Sequence, residues 1–350
     1  LMYTSGTTGA PKGALLPHRK SLYNSLNAAE YFANSKDDRV LVVAPLFHSL
    51  GLQILAVPMV HAGGALLLHR QFDPERVWEA VERERITYLG GVPSMYQRLE
   101  DVLAESSPGR WQHPDLRFAF TAGSAASVEL IRSFEARGIQ LQQGYGQTET
   151  SILTCLSAAE ALDRAGSVGR PVSHGEVRVV ERKPYPRDPQ RWRDTNPGEV
   201  GEIVVRGAIT MLGYWEQPEA SAQVLIQDWL CTGDLATRDS DGYLTLVGRK
   251  GDMFISGGEN VYPAEVEAVY REHPAIREIA ILGVPHLEWG EVGRAHLVLE
   301  PGEELDEAAL HSWARERLAP FKLPRDYVLE EELPRTASGK IRKQLLTGRP

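Results

Sequence analysis

The chain has 350 residues, is 42% hydrophobic and carries a formal net charge of −9; that supplies ample apolar material for a core and excludes the disordered and fibrous classes. The acidic balance argues against a surface devoted to nucleic acid, so an anionic ligand must be met by local cations and backbone amides. Its two cysteines, Cys155 and Cys231, are far apart and lack any Cys-x-x-Cys or His-rich neighbourhood, which suggests neither a disulfide framework nor a zinc site and suits a reducing, cytoplasmic compartment, and no apolar run reaches the length of a transmembrane segment.

In chain order, RVLVVAP (39–45) and GALLLH (64–69) read as buried strands. DPERVWEAVERER follows as a helix, with Asp73 as N-cap, Pro74 at the first helical position and Val77 and Val81 on one face. TYLGGVP, LRFAFTAG and IQLQQGYG are further strands, separated by the helical patterns SMYQRLEDVLA and SVELIRSFEARG, the latter stopped by Gly138. Such alternation predicts a parallel sheet covered by helices over residues 1–165. From Gly166 the rhythm changes to GEVRVVE, GEIVVRG and GYLTLVGR, short strands with no strong helix between them, which predicts a small β-barrel-like subdomain over 166–250. Within it KPYPRDPQRWRDTNPG reads as an exposed loop. Beyond residue 250, a helix (PAEVEAVYREH), two strands (REIAILGVP, RAHLVLE), a helix (DEAALHSWARERL) and a strand (RDYVLEE) predict a compact α+β domain over 251–350.

Near the start, TSGTTGAPKG combines three glycines, the hydroxyls of Thr4, Ser5, Thr7 and Thr8, and the ammonium of Lys12. Glycine lets a backbone approach a phosphate closely, and these side chains supply donors. The spacing fits neither the G-x-x-x-x-G-K-[ST] loop nor the dinucleotide G-x-G-x-x-G, and by itself the segment reads equally as a polar turn.

A second set of segments, in order, removes that ambiguity: YTSGTTGAPKG, PLFHSLG, QGYGQTET, GEIVVRG, CTGDLATRDSDGYLTLVGRKGD, ISGGENVYPAEVE and LPRTASGKIRK. With these the chain resembles the adenylate-forming superfamily, which includes acyl-CoA synthetases, adenylation domains of peptide synthetases and firefly-type luciferases. The resemblance spans the whole chain and implies a large adenylation domain (1–250) followed by a C-terminal lid domain. In that family a substantial region precedes the phosphate loop, so the chain looks like the C-terminal portion of a longer enzyme.

The resemblance further implies that Thr4, Ser5, Gly6, Thr7, Thr8, Gly9 and Lys12 form a loop over the β- and γ-phosphates of ATP. Gly123 and the Gly144–Tyr145–Gly146 run would lie against the adenine, Thr148 would contact the α-phosphate and Glu149 would hold Mg²⁺, a hard cation that takes few protein oxygens. Asp234 would accept from the ribose hydroxyls, with Arg249 nearby. A carboxylate suits a diol because both of its oxygens accept. Lys340 matches the lysine that bridges the substrate carboxylate and the α-phosphate; a cation there stabilises the transition state between two repelling anions more than it does the separated reactants. His48 would line the acyl pocket and the thiol entrance, and Ser256, Gly257 and Gly258 would border a pantetheine channel. The hinge two residues after Arg249, commonly Asp or Lys in relatives, is Gly251 here.

Phe47 and His48 stand where amino-acid-activating relatives place an aspartate, so the expected substrate is an acid without an α-amino group, fatty or aromatic. The expected reaction is adenylation of that small-molecule carboxylic acid by ATP, then thioester formation with coenzyme A. Two alternatives stand beside it: a non-catalytic or assembly-dependent fragment, and a luciferase-like adenylating monooxygenase. A homodimer is one assembly to look for, with no nucleic acid as partner and no transmembrane segment expected.

Overall fold

A computed structural model describes residues 1–4, 11–107, 109–123, 126–181, 188–336 and 341–347. The chain divides into two compact units: the first extends to Leu246, and the second begins at Val247, with Gly233–Leu235 counted in the second.

The first unit opens with a hairpin of β1 (Met2–Thr4) and β2 (Lys12–Ala14) in which Thr4 faces Lys12. Helix α1 (His18–Phe32) and strand β3 (Arg39–Val42) follow, and a π-helical stretch, Leu50–Ala56, runs into α2 (Val57–Ala62). Next come β4 (Ala65–Leu68), α3 (Pro74–Arg83), β5 (Tyr88–Gly91), α4 (Pro93–Glu105), β6 (Phe118–Ala122), α5 (Val128–Ala136), β7 (Leu141–Gln147), β8 (Ser151–Leu156) and β9 (Arg170–Pro171). Seven strands make one sheet in the order β4-β3-β5-β6-β7-β8-β9. It is parallel from β4 to β7, as the alternation predicts, and its last two strands are antiparallel.

Burial explains why the parallel strands read as unbroken apolar runs. Val40 and Val42 join Phe32, Met59, Tyr88 and Phe120 in a core on one face, while Leu41, Leu89 and Ala119 join Val77, Leu99, Leu130 and Phe134 on the other. A sheet covered on both faces has no polar side to alternate with. The Asp73 carboxylate caps α3 by accepting from the Arg76 amide at 3.0 Å, with Pro74 at the first position. Gly138, at φ +77°, follows the end of α5.

Strands β10 (Glu176–Glu181), β11 (Gly201–Arg206), β12 (Leu225–Ile226), β13 (Trp229–Arg238) and β14 (Leu244–Arg249), with α6 (Pro218–Val224) ahead of β12, complete this part of the chain. The barrel-like subdomain takes the form of a five-stranded sheet ordered β10-β11-β13-β12, with β14 on β13. A bridge between Gly169 and Leu244 ties it to the end of the large sheet. Of the expected exposed loop, residues 183–187 lie outside the described residues, Pro189–Arg191 form one 3₁₀ turn, and Trp192 is buried rather than exposed.

The second unit contains β15 (Phe254–Ser256), β16 (Glu259–Val261), α7 (Pro263–Tyr270), β17 (Ile276–His286), β18 (Gly290–Leu299), α8 (Glu307–Arg315) and β19 (Asp326–Leu329). Its sheet runs β16-β15-β18-β17, and β19 lies parallel to β18. Phe254, Val266, Tyr270, Ile281, Leu297 and Leu310 pack together between this sheet and its helices, so the unit has a core of its own.

Candidate active site

In the first unit the site is built around the tip of the β7–β8 hairpin. Thr148 and Glu149 occupy that tip, half-buried, in a turn closed by the Thr150 amide donating to the Gln147 carbonyl (3.1 Å) and the Gln147 amide donating to Thr150 Oγ1 (3.0 Å). Gln147 Nε2 donates to the Thr232 carbonyl at 2.9 Å. Two conformational facts hold the strands close. Ser151 is left-handed at φ +59°, a region costing a non-glycine residue about 1 kcal/mol or more. Its carbonyl lies where a Cβ on Gly146 would come within 1.7 Å. Gly146 is therefore obligatory, and Gly144 is nearly so, since a Cβ there would meet the Phe120 ring at 2.7 Å.

Strand β2 brings two more groups to the tip. Beyond the hairpin it pairs with residues 213–215, the Trp215 amide donating to the Gly13 carbonyl at 2.7 Å and the Leu15 amide to the Gly213 carbonyl at 2.9 Å. The Tyr214 hydroxyl donates to Glu149 Oε1 at 2.9 Å, and Lys12 Nζ stands 5.2 Å from the centroid of the Tyr214 ring. The Met211 amide donates to the Glu149 carbonyl at 2.8 Å. Lys12, Tyr214 and Glu149 thus form one line of contacts, with Thr4, whose hydroxyl donates to the Lys12 carbonyl at 3.4 Å, on the opposite strand.

Below the hairpin lies a lysine that periodicity could not have found. Lys20, on α1, is fully buried and donates to Ser151 Oγ. Burial pulls its ammonium down to about 7, against the opposing pull of the Glu149 carboxylate. One turn on, Asn24 Oδ1 accepts from the Ile152 amide (3.2 Å) and Asn24 Nδ2 donates to the Gln53 carbonyl (2.5 Å).

That last bond leads to His48. Its Nδ1 accepts from the Leu50 amide at 3.2 Å, which places the proton of the neutral ring on Nε2. Gly51 permits the turn, because a Cβ there would lie 2.5 Å from the Pro45 carbonyl oxygen. A π-helical segment is an uncommon conformation that recurs at functional sites, and here it begins two residues after His48.

Tyr145 is buried among the apolar side chains of the first core rather than displayed, and Gly123 ends β6 at φ +94°. Ser5–Gly9 and Lys340 lie outside the described residues.

The second unit brings Asp234 and Arg249 together: Arg249 Nε lies 3.0 Å from the nearly buried Asp234 Oδ1, and the Lys250 amide donates to the Gly233 carbonyl at 2.9 Å. Gly251 has open space around it. Ser256 is buried, and Gly257 and Gly258 both have positive φ (+59° and +88°). Space beside Gly257 is taken by Trp289, whose ring would lie 2.6 Å from a Cβ, whereas Gly258 is open. Sequence reasoning explained this pair by the room they leave for a thin ligand; at Gly257 a side chain of the chain itself fills it.

The donor set at Glu149 suits magnesium. With Oε1 engaged by Tyr214, coordination would fall to Oε2, and Mg²⁺ is commonly held through one or two carboxylates plus substrate phosphates. Among the described residues there is no group of three or more His, Cys, Asp or Glu that could cage a metal. No described helix is long and apolar enough to cross a membrane.

The chain is similar to known proteins over nearly its whole length. The family model described as AMP-binding enzyme matches residues 1–215, and that of the AMP-binding enzyme C-terminal domain matches 265–340. A feruloyl-CoA synthase from Amycolatopsis sp. is 42% identical over 349 residues, covering 98% of this chain and 68% of that protein. The o-succinylbenzoate CoA synthetase of Bacillus subtilis, solved with its acyl-adenylate intermediate, superposes with a TM-score of 0.89 at 33% identity, over 100% of this chain and 69% of that one. The same synthetase solved with ATP and magnesium gives 0.88 at 33% identity, over 99% and 69%.

Proposed function

This chain belongs to the AMP-binding family of adenylate-forming enzymes, and from that membership we propose that it is an AMP-forming acid–CoA ligase acting on an aromatic or fatty carboxylic acid. The single observation that most supports the reading is the line Lys12–Tyr214–Glu149 at the hairpin tip, which sets a cation beside a held carboxylate. The named relatives act on aromatic acids, and Phe47 and His48 stand where a carboxylate would be wanted for an α-ammonium substrate.

In the first half-reaction an oxygen of the substrate carboxylate attacks the α-phosphorus of ATP and pyrophosphate departs, leaving an acyl-adenylate. Lys12 and the hydroxyls of Thr4–Thr8 would hold the β- and γ-phosphates, with Thr148 at the α-phosphate and Gly123 and Gly144–Gly146 at the adenine. Glu149 would hold Mg²⁺, which when bound neutralises phosphate charge. Asp234, oriented by Arg249, would take the ribose diol. Lys340 would sit between the two anions, where its charge lowers the barrier by several kcal/mol, roughly 10²-fold or more in rate. In the second half-reaction the coenzyme A thiolate attacks the acyl carbon, and the C–O bond to AMP breaks. His48 would line the thiol entrance, Ser256–Gly258 would border the pantetheine arm and Gly251 would be the hinge.

The cytoplasm is the proposed compartment, consistent with two buried free cysteines, and a homodimer is the assembly to look for by sedimentation. The test is product analysis of the intact protein with Mg·ATP, coenzyme A and a panel of cinnamic, arylacetic, benzoic and fatty acids. Expected products are AMP, pyrophosphate and an acyl-CoA. ADP and phosphate would refute the reading, and turnover that needs oxygen but not coenzyme A would favour the monooxygenase alternative.

A further inference from the structure

Lys20 is fully buried on α1, a setting that calls for a function. An apolar side chain would fill the same volume without the penalty of removing an ammonium from water. Burial already displaces its protonation to about 7, and its hydrogen bond to Ser151 Oγ is joined by the attraction of the Glu149 carboxylate. Two successive turns of α1 grip the start of β8 in this way, Lys20 at Ser151 and Asn24 at the Ile152 amide. These are the residues immediately after the tip that bears Thr148 and Glu149. Ser151 is also the residue held left-handed, with its carbonyl against Gly146. Tyr214 fixes one carboxylate oxygen of Glu149; the path of the chain beneath that carboxylate is set by α1.

We propose that Lys20 is a positioning residue for the divalent-cation carboxylate: anchored on Ser151 Oγ, it fixes the hairpin tip so that Glu149 meets the magnesium of Mg·ATP in one orientation. The inference rests on the reading of Glu149 as the metal ligand. Outer partners of a metal ligand are worth roughly 10–100-fold in metal affinity, and that is the scale expected here.

The experiment is calorimetric titration of the intact protein with ATP at a series of Mg²⁺ concentrations, together with the thermal midpoint of the ligand-free protein, for wild type, Lys20→Met, Ser151→Ala and the double variant. Lys20→Met is expected to melt no lower than wild type, since it removes a buried charge. It should bind metal-free ATP as wild type does, and lose about tenfold or more of Mg·ATP affinity. Ser151→Ala should lose affinity in the same direction, and the double variant should lose no more than Lys20→Met alone, because both break one link. Mg·ATP affinity unchanged in Lys20→Met, or reduced equally with and without magnesium, overturns the proposal. If Lys20→Met does not fold, Ser151→Ala decides, and an unaltered magnesium dependence there overturns it. Wild type failing to bind Mg·ATP at all would instead defeat the functional reading, and this inference with it.

Discussion

Replacing Gly146 by alanine should separate site geometry from general stability. The new Cβ would lie 1.7 Å from the Ser151 carbonyl oxygen and 2.7 Å from its carbon, both backbone atoms with no rotamer to move. Opening that approach to even a tight 3.0 Å requires the two strands to part by at least ~1.3 Å in a closely packed interior. The strain should cost roughly 1–3 kcal/mol, or a few degrees of thermal midpoint for each kcal/mol in a unit of this size. Because the displaced atoms carry Thr148 and Glu149, a shift of about 1 Å should also lower the adenylation rate on the order of 10²-fold. The matched control is Gly138→Ala: φ is +77° and nothing lies within 4 Å, so it costs about 1–2 kcal/mol of backbone strain with no clash. Both variants are to be compared by urea unfolding and by acid-dependent pyrophosphate release. Equal activity in the two at equal loss of stability would refute the argument.

Other residues give independent tests. Tyr214→Phe removes the hydroxyl from Glu149 Oε1 and should raise the Mg²⁺ concentration needed for half-maximal pyrophosphate release roughly 10-fold. Asp234→Asn exchanges a charged acceptor for an amide beside Arg249 and should weaken AMP binding by about 10–100-fold, with a much smaller loss toward a dideoxy analogue, measured by calorimetry. Asp38 immediately precedes β3 and is paired with residues outside the proposed site. Burial alone would raise its pKa, but the Thr87 hydroxyl, the Ser35 amide and the Arg117 guanidinium outweigh it and hold the carboxyl below its usual range. A lowered folded-state pKa stabilises the protein above the unfolded carboxylate range, and the gain is lost as pH falls through the folded value. Asp38→Asn should therefore lower the thermal midpoint at neutral pH and flatten its fall in acid, leaving adenylation unchanged.

Much of the first unit could be read in advance because its strands are apolar on both faces and its helices α3 and α5 announce themselves by Asp73, Pro74 and Gly138. Helix α1 could not. Beside Ala28 and Phe32 it buries Lys20, Asn24, Ser25 and Asn27, so most of its inward face is polar, and a search for apolar residues at helical spacing passes over it. Strand β8 is hidden in the sequence for a different reason: SILTCL follows the QTET turn at once, and no glycine or proline within Thr148–Thr150 marks the reversal. Tyr214 came to notice only through its contact with Glu149, sixty-five residues away in the chain; its sole local signal is the Gly-Tyr-Trp run at 213–215. The motifs, by contrast, were legible because their glycines are required: Gly146 by the Ser151 carbonyl, Gly51 by the Pro45 carbonyl, and Gly257 by the Trp289 ring.

The central claim, that the site joins a carboxylate oxygen to the α-phosphorus of ATP, is tested most directly by isotope transfer. The intact protein is given an acid labelled with ¹⁸O in both carboxylate oxygens, together with Mg·ATP and coenzyme A, and the AMP is examined by mass spectrometry. One labelled oxygen in each AMP is the predicted result. Unlabelled AMP, or label in pyrophosphate or phosphate, would contradict the account.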